Sequence, residues 1–338
     1  MLHTYTTVND KIIDVLTETT LGTNGARYRH LDTKERIFEA DNPLFLTIER
    51  NDRVWGNITF CRRGEHWYIR YFAFRSFLQS AGKSKGKQRS DSFIKHALQE
   101  FFNEAFAGNS SYGKVQSMYA YIDPRNERSK WMSEHFGFQV IGKLATQSFS
   151  RVSPKKSPRF SVLHDYASIQ EIAESKEFTH RYFFTEQIST PPLYALKDND
   201  GGLLALIRTT LVHWKIERLP GRFGGLLTAI LPYFPLLRKF IHPANFTFLV
   251  PDVLYLKDNS SEILNEMFEA VLAEKAEHVM LWWVDKNDPV YVAAQSRISW
   301  GIMHRLLGVQ PVDIVQRTAS NYADQNDMPQ FVAAFDMV

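Results

Sequence analysis

The chain has 338 residues, with 44% apolar and 23% charged residues, which is ordinary globular composition and excludes a disordered or collagen-like protein. At roughly 150 residues per domain this length predicts two domains. The single cysteine, Cys61, excludes a disulfide framework and a zinc site built from cysteine pairs, and nothing in the pattern calls for a metal. The net charge of +3 hides an asymmetry: residues 1–160 carry 25 Lys/Arg against 16 Asp/Glu, and residues 161–338 carry 15 against 21. An anionic partner is therefore expected in the first half alone.

Taken in chain order, the start of the sequence has no basic region followed by an apolar one, so no secretory signal is read and a cytoplasmic location is expected. A hairpin is predicted over 44–60, with its turn at 50–53 between two apolar, β-branched runs. Ile94, Ala97, Leu98, Phe101 and Phe102 recur at helical spacing and predict an amphipathic helix capped by Ser90 or Asp91. An aromatic strand over 118–123 ends in Asp123. A shorter helix closed by Gly137 follows, and then a strand over 138–144.

The segment 151–159 is rich in Pro, Ser and Lys and reads as a linker, because proline removes a donor and disfavours helix in the residue before it. Beyond it the same order returns. A hairpin is predicted over 193–208, and Ile263, Met267, Phe268, Val271 and Leu272 give a second stripe, with Asn259 and Glu262 as a capping box. A strand over 280–285 ends in Asp285, a helix is closed by Gly308, and a last strand covers 309–316. The apolar stretch 219–242 interrupts this plan. It is too short and too Pro-broken to span a bilayer, and it reads as a short helix or lid, a pocket wall, an interfacial patch with cationic flanks, or a core or dimer contact.

Two stretches of the first half carry a family resemblance. One is Gln79-x-x-Gly82-x-Ser84, placed between a strand and a helix. The other runs from Asn126, with Ser129 three residues later, through a helix to Gly137-Phe138. Together they resemble the GNAT superfamily of acyl-CoA-dependent N-acyltransferases over about residues 40–145. The expected architecture is α+β: two tandem GNAT-like domains, each a mixed, mostly antiparallel sheet flanked by helices. Residues 1–150 form the acyl-CoA-binding copy, 151–159 the linker, and 160–338 a degenerate copy with the 219–242 insertion.

The resemblance implies acetyl-CoA, or another acyl-CoA, as donor, and a small-molecule or peptide amine as acceptor. It places Phe74, Arg75, Gln79, Ala81, Gly82, Lys83, Ser84 and Asn126 at the cofactor. The physics agrees, because NH groups at a helix start, a close-approaching Gly and the nearby Lys83, Lys85, Lys87 and Arg89 suit phosphates. A second register, with Gln88 at the glycine position, sits nearer the helix but loses that glycine. A P-loop is excluded, since Phe77 stands where its first Gly must be. One basic run without interleaved aromatics does not suggest nucleic acid.

The family often places a Tyr acid seven residues after the Asn, where this chain has Ser133, a poor proton donor. Tyr121 or Tyr119 is the substitute candidate. Glu65, His66 and Asp123 are the candidate bases, with Asp123 equally a turn residue. In the second half, Lys257 to Glu262 has no Gly and a negative balance, so no acyl-CoA site is expected there. Two other readings stand beside the enzyme: a catalytically degenerate CoA or ligand binder, and a partner-binding module using 219–242. A homodimer is compatible with both.

Overall fold

The computed structural model describes every residue except 23–25, 76–87, 109–110, 164–178, 184–191, 220, 321–326 and 338. It divides into two compact units. Unit 1 is Met1–Gly142 with Asp313–Asp324, and unit 2 is Lys143–Val312 with Gln325–Val338.

Unit 1 opens with β1 (Leu2–Tyr5), α1 (Asp10–Glu18), β2 (Arg27–His30) and α2 (Thr33–Arg36). The expected hairpin follows as β3 (Pro43–Arg50) and β4 (Arg53–Arg63), turned by Asn51 and Asp52, both at positive φ. Next come β5 (His66–Phe74), α3 (Gln88–Phe106), β6 (Ser117–Ile122) and α4 (Glu127–His135). Ser90 and Asp91, expected as caps of α3, fall inside its first turn instead. The apolar stripe of α3 performs as read: Leu98 and Phe102 are buried with Leu44, Phe60, Trp67 and Met118 on one sheet face. On the opposite face Ile12, Val15 and Leu16 of α1 pack with Phe45, Val54 and Ala73. Alternation along each strand separates these two cores.

The strand after α4 is β7 (Gln139–Ser150). Unit 2 continues with β8 (Phe160–Leu163), β9 (Leu193–Lys197) and β10 (Leu203–Arg218), the last two forming the second expected hairpin. The 219–242 stretch holds two short helices, α5 (Gly224–Ile230) and α6 (Pro235–Arg238). Then come β11 (Phe246–Leu256), α7 (Ser261–Lys275), β12 (Val279–Asp285), α8 (Pro289–Ala294) and α9 (Ile302–Leu307). The chain ends with β13 (Gln310–Thr318) and α10 (Ala334–Met337). The α7 cap is Ser260, whose Oγ accepts from the Ile263 NH, and not the expected Asn259, which takes a left-handed φ of 49° just before it.

The two sheets follow one plan, with the final strands exchanged. In unit 1 the order is β1-β3-β4-β5-β6-β13, and in unit 2 it is β7-β12-β11-β10-β9-β8. All pairs are antiparallel except β5/β6 and β11/β12. Thus β13, from the end of the chain, runs against β6 over Asp313–Thr318, while β7, from the first half, runs against β12. The α+β class and the mixed, mostly antiparallel sheets are as expected, but the unit boundary does not fall at 151–159. That segment lies in unit 2 and is strapped to α7. Arg151 donates to Glu269 and Asn265 at 2.7 Å, and Ser157 and Arg159 both bond Glu266. A Pro-rich composition marks an absence of helix, and it does not measure attachment.

Candidate functional site

The parallel strands β5 and β6 form a ladder of only three pairs, His66↔Ser117, Trp67↔Met118 and Tyr68↔Tyr119. Beyond this point β5 runs on to Phe74 and β6 to Ile122, each along its own outer neighbour, β4 or β13. The two strands part, and the parting end is the one that leads β5 into residues 76–87.

Three tyrosines mark the fork. Tyr68, Tyr119 and Tyr121 share the face opposite α3, with ring centroids 5.3 Å (Tyr68–Tyr119), 5.2 Å (Tyr68–Tyr121) and 6.0 Å (Tyr119–Tyr121) apart. The fully buried Tyr119 hydroxyl accepts from Arg63 Nη1 at 2.8 Å. Arg63 also pairs with Asp41 at 3.0 Å and lies over the Tyr68 ring. Tyr121 is partly exposed and is the first residue of that face past the last ladder pair. A phenol placed there can give a proton to a leaving group, given a ligand between the strands.

The other expected residues distribute as follows. Gln79, Ala81, Gly82, Lys83 and Ser84 lie outside the described residues, as does the rest of the basic run through Lys87. Phe74 ends β5. Arg75 is committed within unit 1: its NH donates to the Trp55 carbonyl, its Nε to the Val54 carbonyl, and its guanidinium pairs with Glu18 at 3.2 Å. Asn126 is the N-cap of α4, its Oδ1 accepting from the Ser129 NH at 3.1 Å. This explains the spacing of the motif, because a cap needs its acceptor three residues before the orphan donor.

Ser133 donates to the Lys130 carbonyl of its own helix at 2.7 Å. Asp123 accepts three bonds at 2.9 Å from Arg125, which makes it the turn residue of the two readings. Glu65, 3.5 Å from Lys114, and His66, bonded to Ser117, sit at the closed end of the fork. The sequence reading missed Tyr68 and Arg63. The only available signal was aromatic alternation in two strands, and register decides which of those rings meet.

Unit 2 repeats the fork, since the β11/β12 ladder is a single pair, Leu249↔Met280, interrupted by Pro251. Residues of both strands share with His180, Asp288 and Gln330–Val332 the lining of a cavity of about 30 Å³. His180 Nε2 is 2.9 Å from Asp288, whose other oxygen caps α8, and Phe183 packs edge-on against Phe331 at 4.8 Å.

No protein-family model and no curated protein sequence matches the chain. Solved structures do. The chain aligns with N-myristoyltransferase from Saccharomyces cerevisiae with bound myristoyl-CoA at TM-score 0.55 and 9% identity, covering 98% of this chain and 89% of that one. It aligns with a tandem GNAT protein from the clavulanic acid biosynthesis pathway at TM-score 0.52 and 9% identity, covering 96% of this chain and 100% of that one. At such identities the likeness is one of fold: the chain shares the fold of these two structures, the second of which is a tandem GNAT protein.

Proposed function

We propose that unit 1 is an acyl-CoA-dependent N-acyltransferase module whose donor, acetyl-CoA or a longer acyl-CoA, enters the fork between β5 and β6. The observation that carries this is the three-pair ladder followed by divergence toward residues 76–87. In this reading the NH groups of Ala81–Ser84 and the side chains of Lys83, Lys85, Lys87 and Arg89 receive the phosphates. The acyl thioester lies against the free-running part of β5. A neutral amine of a small molecule or peptide attacks the thioester carbonyl, the C–S bond breaks, Tyr121 protonates the departing thiolate, and the proton shed by the acylated nitrogen passes to water, which returns one to the Tyr121 phenolate. Glu65 is left out of the chemistry, because it sits at the closed end of the fork. Unit 2, whose strand-to-helix loop from Lys257 to Glu262 has a negative balance and no Gly, binds no acyl-CoA.

The test is calorimetry with acetyl-CoA, CoA and longer acyl-CoAs, followed by CoA release with pooled amines and peptides. Binding is expected, and Gly82→Trp or Lys83→Glu should weaken it at least about tenfold, the loss of one charge-assisted contact or of close backbone approach. No heat with any of these ligands ends the proposal.

A second reading, a binder without chemistry, draws on Ser133: the position has no phenol, and its hydroxyl is tied to a helix carbonyl. Binding without acceptor-dependent CoA release would select it.

A further inference from the structure

The described residues expose sixteen large apolar side chains, and six of them fall in the twelve residues from Phe223 to Phe234. Phe223 is 65% exposed, Leu226 58%, Tyr233 83% and Phe234 51%, with Leu227 and Ile230 also exposed. On α5 and its N-cap the pairs Phe223/Leu227 and Leu226/Ile230 are four residues apart and form one stripe, and the exposed rings of Tyr233 and Phe234 follow just beyond the helix. A patch this concentrated is uncommon on a surface that meets only water.

The stripe is held outward by its own anchors. Thr228 Oγ1 donates to the Gly224 carbonyl and accepts from the Leu219 NH at 3.0 Å, tying α5 to the end of β10. A side chain at Gly224 would strike the Leu219 carbonyl at 1.8 Å, so the close approach requires glycine. At the other end Phe240 and Ile241 are buried, and the Ile216 NH bonds the Pro243 carbonyl. The excursion between β10 and β11 is therefore clamped at both feet, with its apolar tip presented to solvent.

Charge identifies what the tip meets. From Arg218 to Pro251 there is no Asp or Glu, while Arg218, Arg222, Arg238 and Lys239 are present and exposed. The half of the chain that contains this island is otherwise acidic. Aromatic and aliphatic residues flanked by cations, on segments too short to span, match the boundary of an anionic bilayer, where rings and Leu side chains enter the headgroup layer and cations meet phosphates. A second copy of this chain would bring the same cations against one another, so the charge pattern disfavours self-association through this face.

We propose that the 222–239 excursion of unit 2 docks this protein on an anionic phospholipid surface. The proposal is independent of any acyl-CoA chemistry in unit 1.

The test is co-sedimentation of the full chain with phosphatidylcholine vesicles, with and without phosphatidylglycerol. Binding should rise with phosphatidylglycerol and fall with salt. Leu226→Asp with Phe234→Asp should abolish it, and Arg222→Glu, Arg238→Glu and Lys239→Glu together should lower the partition coefficient at least about tenfold. Phe234→Trp is the companion measurement: its emission should shift to the blue on phosphatidylglycerol vesicles. Absence of wild-type binding at low salt, or an unshifted emission, overturns the proposal. So does a concentration-dependent dimer in analytical ultracentrifugation that Leu226→Asp dissolves, because the face would then belong to a second copy.

Discussion

Arg63 Nη1 donates to the Tyr119 hydroxyl at 2.8 Å, with the guanidinium 5.5 Å from the centre of the Tyr68 ring. One buried cation thus fixes two of the three tyrosines at the point where β5 and β6 part. Tyr119→Phe removes the acceptor and leaves a buried donor short of one partner, with Asp41 retained. A loss of about 1–3 kcal/mol is expected in urea unfolding. Tyr121→Phe, at the partly exposed position, should lower acceptor-dependent CoA release in protein that remains folded. Unchanged release in that variant would remove the reactive role of this tyrosine.

Unit 1 is incomplete without the end of the chain. Val315 enters its core, and Arg317 bonds the Phe136 carbonyl at 3.0 Å and Asn103 at 2.8 Å and lies over Phe106. A fragment of residues 1–150 should therefore show poor amide dispersion and bind a hydrophobic dye. The same fragment with residues 310–320 appended through a Gly/Ser linker should regain dispersed spectra. A well-folded 1–150 fragment would contradict the exchange of strands.

Burial, aided by the charge of Arg70, pushes His30 down to about 3. Its unfolded value is about 6.5, so between these limits the unfolded chain holds a proton that the native chain does not. Stability should fall as pH drops below about 6.5, with a slope approaching about 1.4 kcal/mol per pH unit from this one group. Urea titrations at neutral and mildly acid pH measure it. His30→Gln should flatten the dependence, and an unaltered slope in that variant would assign it to other groups.

At the start of α7, Ser260→Ala removes the cap acceptor and should cost about 1 kcal/mol. Asn259→Gly should be neutral or slightly stabilising, since the residue has a φ of 49° and no capping bond is assigned to it. Thermal melts of the two variants decide between the adjacent positions.

The local elements were legible because they depend on spacing within one segment. The helical stripes at 94–102 and 263–272, the two hairpins and the strands ending near Asp123 and Asp285 all stand where the pattern put them. The cap at Ser260 was misplaced by one residue, because Asn and Ser offer nearly the same acceptor and backbone conformation chooses between them. Asn126 and Ser129 were recognised by spacing, but only the coordinates show that the spacing is that of a helix cap.

Apolar spacing and turn residues by themselves determined that the two halves share an order of elements, charge counting located the run of cations after β5, and the α+β tandem architecture came with the GNAT resemblance. They also marked 219–242 as an apolar departure with basic ends. The tertiary structure decided which final strand completes which sheet, since β7 and β13 follow similar helices and carry no local mark of their partner. It decided that β5 and β6 share a ladder of three pairs and β11 and β12 a single pair, and that residues 330–332 come to line the cavity beside β11 and β12, because ladder length and chain path are long-range facts. And it decided that the apolar excursion faces outward, a matter of what packs over it rather than of its own sequence.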